Sequence, residues 1–142
     1  CEREVVTFDS ARTGGGSGGG TGGAIQSCGN GSVWDHNGSQ MRLLSNGSDR
    51  QIVYERPRRA LLSAGVNPCD VVFEGEKQGQ RYVGTAYVFS KRCGSYGYPV
   101  SGPVAENGAK VTLYGQAPRR RKDCSVEGYR EDTLVFKYLR SK

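Results

Sequence analysis

The chain has 142 residues, 35% of them hydrophobic, with 22 glycines and a formal net charge of +6, which is the size of one domain with a small core. No window approaches the ~20 apolar residues that cross a bilayer as a helix, and no charged-then-apolar leader stands before the first residue, so the chain as given reads as soluble. Eight tyrosines and four phenylalanines, with many valines, supply enough strand-forming bulk to exclude wholesale disorder.

Residues 1–13 form an N-terminal tail with one extended run, Val5-Val6-Thr7-Phe8, which either adds a strand to the main sheet or stays apart from it. The tract Gly14 to Gly23 is nearly pure glycine and behaves as a coil linker, natural or engineered, with a reach of roughly 15 to 20 Å. Residues 24–142 are expected to be a single β domain.

Beyond Ile25 the apolar residues alternate with period two, the mark of half-buried strands. Gln40 to Leu44 and Gln51 to Arg56 flank Asn46-Gly47, a hairpin signal because both residues accept positive φ. Helix-like character is confined to Ala60 to Ala64, between Pro57 and Gly65. Val71 to Glu76 and Arg81 to Phe89 make a second hairpin around Gly79. In its second strand Tyr82, Gly84, Ala86 and Val88 share one face, and Val83, Thr85, Tyr87 and Phe89 the other. A small-residue face of that kind suits a tight barrel interior or a close backbone approach. Tyr98 to Val104 and Lys110 to Tyr114 flank Asn107-Gly108 as a third hairpin, and Ser125 to Tyr129 and Thr133 to Leu139 follow as two short strands. The pattern predicts an all-β fold, a small antiparallel barrel or barrel-like sandwich of seven or eight strands.

Five cysteines, Cys1, Cys28, Cys69, Cys93 and Cys124, lie far apart with no C-x-x-C pair, so the spacing of zinc and redox motifs is missing. They read as disulfides of an exported protein. Two bridges leave one thiol over, for which Cys1 is the simplest choice, and Cys93 with Cys124 is the preferred pair. Sequence alone leaves the connectivity open.

The single histidine, His36, has Asp35 and Ser39 as near neighbours. Adjacent strand residues point to opposite faces, which argues against a Ser-His-Asp constellation. Phosphate-loop, dinucleotide and zincin motifs are missing too, so no cofactor or metal is expected, and the chain reads as a non-enzyme. Asn30-Gly31-Ser32, Asn37-Gly38-Ser39 and Asn46-Gly47-Ser48 match the N-glycosylation acceptor and serve equally as turns.

Positive charge gathers at Arg56, Arg58 and Arg59, and again at Arg119, Arg120, Arg121 and Lys122. With Tyr96, Tyr98 and Tyr114 these define the candidate binding residues, suited to an anionic glycan, a peptide or a protein domain. Nucleic acid fits less well, because aromatic residues for base stacking are not interleaved with either cluster.

The segments Trp34-x-His36-Asn37-Gly38-Ser39-x-Met41, Tyr54-Glu55-x-Pro57-Arg58, Phe73-x-Gly75, Tyr82-x-Gly84-Thr85-Ala86-Tyr87, Arg92-Cys93-Gly94, Val100-Ser101-Gly102 and Asp132-x-Leu134-Val135-Phe136 resemble a small domain of uncharacterised exported bacterial proteins. Some of those proteins carry a caspase-like peptidase upstream, so the resemblance implies a module rather than an activity. Trp34 followed by Gly38-Ser39-x-Met41 resembles, locally, the first strand of avidin-like and lipocalin-like barrels. That likeness implies a barrel with Trp34 plugging one end, but not biotin binding, because the avidin pocket is caged by several tryptophans and this chain has one.

These observations lead to an exported, noncatalytic binding or accessory module that recognises an anionic or polar envelope component, a peptide or a neighbouring domain. The alternative is a carrier of small ligands, with an apolar interior lined by Phe73, Tyr87 and Phe136. A hydrolase centred on His36 is the third reading.

Overall fold

The computed structural model describes residues 28–141; the tail, the glycine tract and Cys1 lie outside them. Eight antiparallel strands run up and down in chain order and close into a barrel. They are β1 (Ser32–His36), β2 (Ser39–Asn46), β3 (Asp49–Arg56), β4 (Val71–Gln78), β5 (Arg81–Ser90), β6 (Gly94–Ala105), β7 (Lys110–Arg120) and β8 (Val126–Arg140). A short helix, α1 (Arg59–Ser63), stands between β3 and β4. The barrel closes where Trp34 and Asp35 of β1 pair with Tyr138 and Lys137 of β8, which removes the free edges an open sheet would expose.

The three expected hairpins all form, with positive φ at Gly47, Gly79, Asn107 and Gly108. Two elements differ from the sequence reading. Asn37 and Gly38 (φ 52° and 92°) turn β1 into β2, so the stretch before Ser39 holds a strand of its own. The two short strands expected near the C-terminus are a single strand, β8, unbroken from Val126 to Arg140. In its charged middle Arg130 and Glu131 are exposed and Asp132 half-buried, so these polar side chains need not be fully desolvated.

Inward side chains pack the interior solid. Phe73, Phe136, Met41 and Leu113 have no exposed surface and Ile52 only 2%, as expected of an eight-stranded barrel just wide enough to be filled by side chains. Trp34 belongs to this core, and its Nε1 donates to Ser32 Oγ at 2.7 Å. Gly75 and Gly84 are register partners; a Cβ on Gly75 would come within 2.6 Å of the Gly84 Cα. That close approach is why the face of β5 carries small residues.

The outer face of β1–β3 is buried as well, at Val33, Arg42, Gln51, Val53 and Glu55. The segment from Cys28 to Gly31 is clamped onto it by a charge-assisted network. Arg42 donates from Nε and Nη2 to the two Glu55 carboxylate oxygens (2.7 and 2.6 Å) and from Nη1 to the Gly31 carbonyl (2.9 Å). Burial pushes the Glu55 carboxyl up, but the Arg42 guanidinium more than offsets this and holds it below its ordinary value. Disulfides Cys28–Cys69 and Cys93–Cys124 are both formed, which realises the preferred pair and points to an oxidising, non-cytoplasmic environment. Among the described residues no helix is long and apolar enough to cross a membrane.

Candidate functional site

One end of the barrel carries only tight turns, between β2 and β3, β4 and β5, and β6 and β7. The opposite end carries the two longest connections, 57–70 and 121–125, together with 91–93. Pro57 stops β3, and the Arg58 backbone N–H donates to Ser39 Oγ at 2.9 Å, which starts α1 over the barrel mouth. Val66 turns back, its N–H donating to the Leu61 carbonyl at 3.0 Å, and is fully buried. Cys69 returns the loop to β3 by donating its N–H to the Tyr54 carbonyl at 2.6 Å.

Beneath this loop lies a mouth cavity of about 310 Å³. Tyr54, Leu61, Val66, Val72, Val88, Phe89 and Leu134 form its apolar wall, while His36, Asn37, Tyr98, Arg130, Asp132 and Thr133 bring polar atoms to it. Tyr98 donates its hydroxyl to Asp132 Oδ2 at 2.8 Å, and burial, then that carboxylate, pushes the phenol well above its ordinary range. Burial pushes Tyr54 up to about 12, so both phenols are neutral hydrogen-bonding groups at physiological pH.

His36 stacks on Phe136 with ring centroids 4.4 Å apart. Its Nδ1 lies 2.9 Å from the Val135 carbonyl oxygen; a carbonyl only accepts, so Nδ1 carries the hydrogen. Burial holds the imidazole below its ordinary value of 6.5. Ser39 Oγ is occupied by the Arg58 N–H, and Asp35 lies on the strand between buried Trp34 and His36, pointing the other way. His36 and Ser39 are cross-strand partners in the β1–β2 register, whereas Asp35 faces the other side of β1 and does not join them.

Beside the cavity the barrel wall parts. The β5–β6 ladder runs to Ser90–Gly94 and the β7–β8 ladder to Arg120–Val126, but among the described residues β6–β7 pairing reaches only Val100–Gly115. Two hairpin arms thus extend past the last shared rung, with a seam between 94–99 and 116–120. Their tips are joined by the Cys93–Cys124 disulfide. Arg120 also crosses the seam, donating from Nη1 to the Cys93 carbonyl (3.3 Å) and from Nη2 to the Gly94 carbonyl (2.9 Å), with its guanidinium 5.8 Å from the Tyr96 ring centroid.

Next to the seam, between the two arm tips, is a groove of about 380 Å³. Arg92, Arg120, Arg121, Lys122 and Arg130 line it, with no carboxylate among its described lining residues. The nearest pairings, Arg121 Nε with Glu127 Oε1 at 3.7 Å and Arg130 Nη1 with Asp132 Oδ1 at 3.6 Å, are long and half exposed, and so neutralise little.

Of the candidates named from sequence, Arg120, Arg121 and Lys122 come together at this groove, Tyr96 lies outside its lining but beside the Arg120 guanidinium, and Tyr98 stands next door in the mouth cavity. Arg119 is exposed at the end of β7 outside the groove lining. Arg56, Arg58 and Arg59 lie at the same end but on the far wall, because β3 and β7 stand four strands apart in a ring of eight. Tyr114 points outward from the middle of β7 and is 55% exposed, away from both cavities. Sequence reasoning missed Arg92, Arg130 and Asp132. Continuing the β8 alternation back from Phe136 through Leu134 would have put Asp132 and Arg130 on the inward face. Among the described residues no cluster of ligating side chains could hold a metal ion.

No family model matches the chain, and no curated protein matches it in sequence.

Proposed function

We propose that this chain is an exported, noncatalytic binding module that recognises an anionic component at the seam end of its barrel. The observation that carries the reading is the groove whose described lining holds five cations and no carboxylate, held open between two disulfide-joined arms. Cations gathered in a concave site raise the local concentration of anions and steer their approach. Export rests on the two disulfides and is in keeping with the resemblance to a domain of exported bacterial proteins.

Of the three residues the carrier reading named, Phe73 and Phe136 are packed into the interior without exposed surface, while Tyr87 lines the mouth cavity; a carrier site would therefore be confined to that cavity. The third reading, a hydrolase at His36, lacks a carboxylate partner from Asp35, which lies on the opposite face of β1.

The test is fluorescence anisotropy with labelled poly-glutamate and a labelled sulfated glycan at low and at high salt. Binding should fall steeply with salt, and the R121Q/K122Q variant should weaken it by roughly tenfold. Binding that ignores both salt and the substitutions would refute the proposal.

A further inference from the structure

The basic groove and the mouth cavity share Val88, Phe89 and Arg130, so one ligand can occupy both. Resting on the binding reading above, we infer that the natural ligand is an acidic, extended peptide segment of a partner protein, which lies in the seam and delivers one large apolar side chain into the mouth cavity.

Charge complementarity sets the acidic character. Five cations line a groove whose only nearby ion pairs among the described residues are the two long ones of Arg121 and Arg130. The cavity sets the apolar anchor. At about 310 Å³ it is roughly twice the ~150 Å³ that accepts a benzene ring, and Tyr54, Leu61, Val66, Phe89 and Leu134 give it apolar side chains to receive a ring beside the polar groups of His36, Tyr98 and Asp132. Phe136, stacked on the lining residue His36, and Phe73 fill the barrel interior without exposed surface, so a side chain can be taken up whereas the long acyl chain of a lipid would have nowhere to run.

The seam supplies the third argument, and it favours a peptide over a glycan. On the side facing β7, residues 94–99 lie outside the ladder among the described residues, and 94–97 are exposed. A strand edge of this kind offers backbone donors and acceptors in the spacing that an extended peptide matches. Above the cavity, Tyr98, Asn37 and Thr133 place further polar groups where a peptide backbone would pass. The disulfide and the Arg120 bridge hold the arms apart in advance, so little ordering remains to be done on binding.

The experiment is titration of the full, disulfide-bonded chain with a labelled Glu-rich decapeptide bearing one central Phe, its Phe→Ala version and a version with Lys in place of Glu. Anionic phospholipid vesicles and a sulfated glycan serve as competitors. The Phe peptide should bind about 10- to 100-fold tighter than the Ala peptide, the range expected for burying one such side chain. Leu61→Gln and Phe89→Ala, which remove apolar wall without adding charge, should each reduce that difference. R121Q/K122Q should weaken both acidic peptides alike, and the Lys peptide should not bind. If Phe and Ala peptides bind equally and with salt sensitivity, the anionic-binding proposal stands and the anchored peptide falls. Capture by vesicles or glycan in preference to the Phe peptide overturns the peptide as ligand, and no salt-sensitive binding to any anion overturns both.

Discussion

The two disulfides should be equal in stability and unequal in function. In the chain-entropy account, a cross-link stabilises by removing freedom from the unfolded chain according to the length of loop it closes. Cys28–Cys69 spans 41 residues and Cys93–Cys124 spans 31; the corresponding contributions are about 3.9 and about 3.7 kcal/mol. Replacing either pair with serines should therefore lower the melting temperature by a similar amount, roughly 15 °C for a domain of this size. The barrel should survive both changes, because ten β5–β6 and eleven β7–β8 register pairs remain.

Binding should separate the two variants. Only Cys93–Cys124 ties the tips of the arms that flank the basic groove, so its loss frees both tips and leaves Arg120 as the sole bridge over the seam. Affinity for poly-glutamate should then drop by roughly tenfold, as ordering deferred to the binding step, whereas C28S/C69S should bind like the parent chain well below its melting temperature. The assay is calorimetric unfolding of both double-serine variants, paired with anisotropy titration at a temperature where each is folded. Equal loss of affinity in the two variants, or none in C93S/C124S, would refute the argument that the staple shapes the groove.

Glu55→Ala should cost about 3–5 kcal/mol in urea unfolding, because it leaves the Arg42 guanidinium buried without its carboxylate. R42M/E55L should recover most of that loss, and a cost below about 1 kcal/mol for E55A would show that the clamp on the Cys28 to Gly31 segment is idle. The pH profile of the melting temperature should have two descents. The folded His36 imidazole titrates below the unfolded value of 6.5, so the unfolded chain takes up its proton first, and stability falls as pH drops through 6.5 until the folded value is passed. The folded Glu55 carboxyl titrates below its ordinary 4.5; its contribution is complete above that value and disappears as acid protonates the folded state. His36→Gln should flatten only the upper descent in a scan from about pH 8 to about pH 3, and an unchanged profile in that variant would show that another group drives it.

Much of the fold could be read from short-range signals. The hairpins around Gly47, Gly79 and Asn107-Gly108 follow from residues that accept positive φ between alternating runs, and closure follows from an up-and-down order. β1 escaped because five residues containing Trp34, Asp35 and His36 have no clean alternation, and because Asn37-Gly38 stood among three similar Asn-Gly-Ser triplets. β8 was divided in two because Arg130, Glu131 and Asp132 look like a loop in one dimension. In the barrel Arg130 and Asp132 are inward residues beyond the end of the packed core, where charge costs little.

The site was legible only where it is contiguous. Arg119 to Lys122 is a run of charge, whereas Arg92 and Arg130 reach the groove through the hairpin tip at Cys93 and the register that sets Ala117 opposite Arg130. Tyr96 and Tyr98 have the same parity on β6, yet one is 37% exposed and the other 3%. The difference arises because the wall opens between them and the end of β7, which no local pattern records.

Why the site should sit at this end follows from the architecture. A closed barrel has no edge to offer, and an eight-stranded one has an interior already occupied by its own side chains, so a binding surface must come from a place where the regular ladder stops. At the tight-turn end nothing stops, since each connection is only as long as the reversal requires. At the other end β6 and β7 part, α1 crosses the mouth, and three connections run without ladder hydrogen bonds of their own. Both disulfides are found there, one fixing the 57–70 loop to the outer wall and one joining the two arm tips. Loops that lack ladder pairing would otherwise sample many arrangements; cross-links placed on them convert a flexible rim into a shaped one. The same distribution of staples that keeps a small core folded thus also holds the basic groove and the mouth cavity in register with each other.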